Sequence, residues 1–186
     1  MTTTKKTTTT TKRTSTKPAS KRTQPTKSTS VKDAPVKKIE LNENSLVHEI
    51  LGAVSAERTV VKKVEILQRY NENYIKSVLI WNFDDSIKSD LPEGDVPIQA
   101  KENPEDNPSS SIKKEWTKFY NFVRGGNDGM VKLRKETLFI NILENLHPLE
   151  AEVLILVKDK KLKTKYNITK ELVSEAYPDI HWGNRS

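Results

Sequence analysis

Residues 154–180 read LILVKDKKLKTKYNITKELVSEAYPDI. Leu154, Leu156 and Val157 continue a buried-helix run that opens at Pro148, a residue suited to a helix's first turn. Glu150 and Glu152 stand near the start of that run and Lys158, Lys160 and Lys161 at its end, the charge order a helix dipole favours. A short polar turn follows. Thr169 then caps a last helix whose Leu172, Val173, Ala176 and Tyr177 share one face, and Pro178 stops it. Two apolar-faced helices joined by a basic turn belong to a helical bundle.

Working outward, the same periodicity recurs. Ser45 is placed to cap a helix with Leu46, Val47, Ile50, Leu51 and Val54 on one face, and after the joint Ser55–Arg58 a second runs from Thr59 to Tyr70. Asn73 is placed to cap a third, with Tyr74, Ile75, Val78, Leu79 and Phe83. Residues 84–110 form a long loop with four prolines, pinned by Ile87, Leu91 and Ile98. Its carboxylates, Asp84, Asp85, Asp90, Glu93 and Asp95, do not fit an EF-hand calcium loop, and no metal site is expected. Ser111 opens a fourth helix whose Ile112, Trp116, Phe119, Tyr120 and Val123 read as core in preference to a base-stacking platform. Gly125-Gly126 ends it, and Asp128 caps a fifth that runs to Leu146. The expectation is an all-α compact bundle of about seven helices over residues 39–186, behind a disordered basic arm at residues 1–38.

Charge is divided along the same boundary. Through Lys38 the chain carries nine Lys and two Arg against Asp33, a net of +10; the remainder carries −3 of the chain's +7. A basic low-complexity arm implies a polyanionic partner. There is no cysteine, which excludes disulfides and thiolate metal sites. No apolar run is long enough for a signal peptide or a membrane span, so a soluble intracellular protein with no membrane partner is expected. His48, His147 and His181 are scattered, and no catalytic order follows from their spacing. RGGNDG at 124–129 lacks the Lys-Ser/Thr of a phosphate loop. No enzyme activity and no cofactor are expected.

The candidate function lies in the basic turn. Lys158, Lys160, Lys161, Lys163, Lys165 and Lys170 fall within thirteen positions, and the helix beginning at Thr169 offers free amides beside them. Lysines and a helix start together suit a phosphate backbone. Arg124, Lys132, Arg134 and Lys135 give a second basic edge.

LILVKDKKL, the basic turn, Ile168-Thr169, Leu172-Val173 and Ala176-Tyr177-Pro178-Asp179-Ile180 resemble the end of the helical N-terminal DNA-binding domain of T-even-type phage ATP-dependent DNA ligases. Leu46-Val47-His48-Glu49-Ile50 and VVKKVEILQRYN resemble that domain's opening helix pair. Two departures stand out. No Gly lies between Leu162 and Ile168, and the lysine-x-Asp-Gly adenylation motif is absent, Gly126 standing where its lysine would be. FDDSIKSDLPEGDVP, FVRGGND, LRKETLFINILENLHPLEAEVLILVKDKKL and ITKELVSEAYPDI are more similar to a small family of T-even-like marine phages with no assigned activity. The resemblance implies a phage protein in the host cytoplasm that binds DNA, duplex and without sequence specificity, with no ligase activity. The competing expectation is an adaptor for phage replication or transcription proteins, or a virion-associated protein.

Overall fold

The computed structural model describes residues 41–98 and 108–183. The chain divides into two units, Met1–Pro35 and Val36–Ser186. All described residues belong to the second unit; the expected arm at 1–38 lies outside them, as does part of the long loop. Within the described residues the fold is helical: α1 Val47–Ala56, α2 Val60–Arg69, α3 Asn73–Phe83, α4 Ile112–Glu115, a 3-10 helix Trp116–Phe122, α5 Lys132–Asn145, α6 Pro148–Lys158, α7 Leu162–Lys165 and α8 Lys170–Ala176. The only extended pairing among them is an isolated bridge between Ser89 and Val123. None of these helices is long and apolar enough to cross a membrane.

The all-α expectation holds, with two changes to the helix count. The turn after α6 contains a helical turn of its own, α7. The expected fourth helix keeps only one α-turn before tightening to 3-10. Trp116, Phe119 and Phe122 recur at i, i+3 and i+6, the spacing that eclipses side chains at three residues per turn. Phe119 and Phe122 enter the core while Tyr120 is left outside.

α6 is the centre of the bundle and packs against α1, α3, α5 and α7. Its Val153, Leu154 and Val157 are fully buried with Ile50 and Leu51 of α1 and Val78 and Leu79 of α3. α8 closes the other side against α2, where the Tyr177 hydroxyl lies 2.6 Å from the Leu67 carbonyl and 2.9 Å from that of Tyr70. It adds a second donor to carbonyls at the end of α2 that also accept the N–H groups of Tyr70 at 3.0 Å and Glu72 at 2.9 Å.

Helix starts are where the sequence reading needs correction. Ser45 does not cap α1; its Oγ accepts the Asn42 N–H at 2.9 Å. Instead the Glu49 carboxylate reaches back to the Leu46 N–H at 2.8 Å, half of a capping box. Glu150, buried in the first turn of α6, supplies the rest. Its two oxygens accept the N–H of Val47 at 3.0 Å and of Ile112 at 3.1 Å, so one carboxylate closes the starts of both α1 and α4. Asn73 is the first residue of α3, not its cap. Asp128 accepts the Gly125 N–H at 3.1 Å, and α5 starts later than expected, at Lys132.

Candidate nucleic-acid interface

α6 ends in a Schellman turn. The Lys161 N–H bonds the Leu156 carbonyl at 2.7 Å and the Lys160 N–H bonds that of Val157 at 3.0 Å. Such turns place the residue after the cap in the left-handed region, where glycine is the usual occupant. Here it is Lys160, at φ 57°, the only non-glycine with positive φ among the described residues. A side chain in that conformation costs on the order of 1 kcal/mol. Its Nζ bonds the Asp84 carbonyl at 2.7 Å.

Beyond this turn Lys160, Lys163, Thr169 and Lys170 line one depression of about 350 Å³, with Asn82, Phe83, Asp85 and Glu171 completing its wall. Lys163 is exposed. Lys170 lies 3.3 Å from the Asp85 carboxylate and 5.2 Å from the centre of the Trp182 ring. Lys161, on the neighbouring turn, is half exposed and 3.7 Å from Asp159.

The remaining candidate residues are placed elsewhere. Lys158 is buried, its Nζ held by the carbonyls of Pro92 at 2.9 Å and Gly94 at 2.8 Å and by Asp159 at 2.6 Å. With its ammonium saturated inside the protein, it has no part in a surface interface. Lys165 pairs with Glu152 of α6, away from the depression's lining. Lys135 is 1 % exposed and bonds Asp90 at 2.7 Å, so it too leaves the interface. Arg124 approaches the same Asp90 at 4.0 Å. The ammonium of Lys135 bonding it, with Lys132 and Arg124 nearby, holds the Asp90 carboxyl below its ordinary range. The second edge therefore reduces to the exposed Arg124, Lys132 and Arg134.

Thr169 is the cap of α8 as expected, its Oγ1 accepting the Leu172 N–H at 3.4 Å. The exposed Glu171 stands in the first turn beside the expected amides and on the depression's wall; its own backbone N–H and the Thr169 hydroxyl hold its carboxyl below the ordinary range, with Lys163 and Lys170 contributing. With a carboxylate already at this helix start, external phosphate must be met by lysines.

No local pattern marks Asn82, Phe83 and Asp85, at the end of α3, as neighbours of the basic turn; the Asn82 Oδ1 brings them there by accepting the Leu162 N–H at 3.1 Å. The scattered histidines include one close pair. His48 and His147 stack with ring centres 4.7 Å apart and planes 7° apart, and the His147 Nδ1 accepts the Leu149 N–H at 3.2 Å as the cap of α6. No group of three or more potential metal ligands forms among the described residues.

A family of unknown function (DUF6433) matches residues 50–164, from within α1 to within α7, well over half of the chain. No curated protein and no solved structure matches it. The chain belongs to that family.

Proposed function

We propose that this member of the family is a non-enzymatic DNA-binding protein that holds duplex phosphates without reading base sequence. It would do so at the depression lined by Lys160, Lys163 and Lys170. The observation that carries the reading is Lys160 itself. A strained left-handed position that glycine would occupy at no steric cost holds a lysine, and it stands on the wall of the depression where two further lysines converge. Strain retained at one residue supports a demand on its side chain, which here meets the Asp84 carbonyl and still leaves an exposed charge at the depression. The exposed Arg124, Lys132 and Arg134 form a second contact edge, and the +10 of residues 1–38 supplies a non-specific tether. Contacts of this kind position a duplex and carry no sequence information. The resemblance to the ligase DNA-binding domain supports the same reading, and with it a phage protein acting in the host cytoplasm.

Lys160→Gly tests this directly, because stability and binding are expected to move apart. Removing the left-handed side chain relieves on the order of 1 kcal/mol, which offsets the lost bond to the Asp84 carbonyl, so the urea midpoint stays level or rises. Duplex affinity falls several-fold. An unchanged affinity for the folded variant would remove the depression from the interface.

A second reading, a protein-interaction adaptor of replication or transcription machinery, is favoured by one observation. Val131 and Leu133 at the start of α5 are 69 % and 74 % exposed, and Val60 and Val61 of α2 are 55 % and 65 % exposed. Pull-down from an infected-cell extract with and without nuclease separates the two: a DNA-bridged association is lost on digestion, a direct protein contact survives.

A further inference from the structure

A groove between α3 and the 3-10 helix takes no part in the depression above. It encloses about 250 Å³ between Ile80 and Trp81 of α3, Ile87 of the following loop, and Trp116, Phe119 and Tyr120 of the 3-10 helix. Its only other lining residues are Ser77, Thr117 and Val123, so no charged side chain lines it. The walls are fixed. The Trp81 ring packs 5.4 Å from Phe119 and 6.1 Å from Phe122. Backbone bonds from the Asp90 N–H to the Phe122 carbonyl at 2.7 Å and from the Arg124 N–H to that of Lys88 at 2.9 Å tie the loop to the end of the 3-10 helix. A Cβ at Gly126 would fall 1.9 Å from the Tyr120 carbonyl oxygen, so the glycine turn packs directly on Tyr120's backbone.

Two features say what the groove accepts. Tyr120 leaves 54 % of its surface exposed beside the half-buried Trp116, so aromatic surface is open to a flat partner. The surrounding segment, residues 113–124, carries Lys113, Lys114, Lys118 and Arg124 against Glu115, a net of +3. Flat ring and adjacent negative charge occur together in a nucleotide.

We propose that the groove takes an unpaired base of a single-stranded nucleic acid, stacked on Tyr120 and Trp116, with its neighbouring phosphates along residues 113–124. The inference rests on the nucleic-acid reading but on different residues from the lysine depression, and adds selectivity for unpaired strands.

The test is fluorescence anisotropy of the full chain with a labelled single strand and with the matching duplex, comparing wild type, Tyr120→Ala, Tyr120→Phe and Lys163→Glu. Base–aromatic stacking predicts that Tyr120→Ala loses about ten-fold or more on the single strand and nothing on the duplex. Tyr120→Phe, which keeps the ring, should bind the single strand as wild type does; a structural loss in Tyr120→Ala would instead lower the urea midpoint and weaken binding to both strands alike. Equal effects of Tyr120→Ala on both strands, or none on either, overturn the groove proposal while leaving the lysine reading intact. Single-strand binding sensitive to Tyr120→Ala and indifferent to Lys163→Glu supports the groove, and duplex binding indifferent to Lys163→Glu overturns the depression. Absence of binding to either nucleic acid overturns both. A hydrophobic dye that binds in a Tyr120-dependent way, and that single strands fail to displace, shows a site for an apolar group and overturns the base assignment.

Discussion

Glu150 shows how much one side chain arranges in this fold. Its carboxylate is 1 % exposed, yet it is satisfied by the N–H groups that open α1 and α4. Burial pushes its carboxyl up, and the two amide bonds pull it back. In Glu150→Gln the amide nitrogen must face one of those two donors, leaving an N–H unpaired in the core; a loss of on the order of 2 kcal/mol is expected, read as a lower urea midpoint. The His48–His147 stack gives a pH dependence at the same scale. Burial first, and then His147, hold His48 below its ordinary value of 6.5, with Glu49 opposing and Lys165 adding. A histidine whose folded pKa is depressed stabilises the fold above its unfolded pKa, and that stability is lost as pH falls. Stability should therefore decline below about pH 6.5, by at most about 1.4 kcal/mol per pH unit for one proton, and His48→Gln should flatten the decline. Glu150 acts in the opposite sense, favouring the fold as pH falls through its raised pKa.

At the scale of elements, the basic residues divide by what their ammonium groups meet. Lys135 on α5 reaches Asp90, Lys158 on α6 reaches Pro92 and Gly94, and Lys160 reaches Asp84. Together they clamp the loop after α3 onto the bundle. Asp84, considered at first among possible calcium carboxylates, is instead buried and accepts the N–H groups of Ser86 at 2.9 Å and Gly183 at 3.0 Å. Lys135→Met removes the nearer of the two cations on Asp90 and leaves Arg124 at 4.0 Å; a loss of about 1–3 kcal/mol is expected, and limited proteolysis should cut faster within residues 84–98. Lys163→Glu, on an exposed side chain, should leave both stability and cleavage unchanged. The helices were legible in the sequence because apolar periodicity records burial directly. The fate of each lysine was not, because the acceptors of Lys158 are backbone carbonyls more than sixty positions away, and carbonyls carry no sequence signature. The aromatic segment was half legible: its apolar content was read correctly, but the i, i+3, i+6 spacing of Trp116, Phe119 and Phe122 suits a 3-10 turn as well as an α-helix.

At the scale of the whole molecule, positive charge is concentrated in residues 1–38, which carry +10 against −3 for the rest. Deleting them should weaken duplex binding while leaving the circular-dichroism spectrum helical and the urea midpoint of the bundle unchanged. What remains should then depend on Lys163 and its neighbours. The basic turn was legible as a place of interest, and Lys160, Lys163 and Lys170 do share a depression; the presence of Glu171 on its wall was not, since a carboxylate two residues after a cap reads equally as a dipole partner or as a solvated charge. The most direct measurement is a salt titration of duplex affinity for the full chain beside Lys163→Glu. Phosphate binding predicts log affinity falling linearly with log salt, with a slope of about −0.9 per phosphate neutralised, shallower by about one unit in the variant. An affinity indifferent to salt, or identical slopes for both proteins, would contradict phosphate binding at this depression.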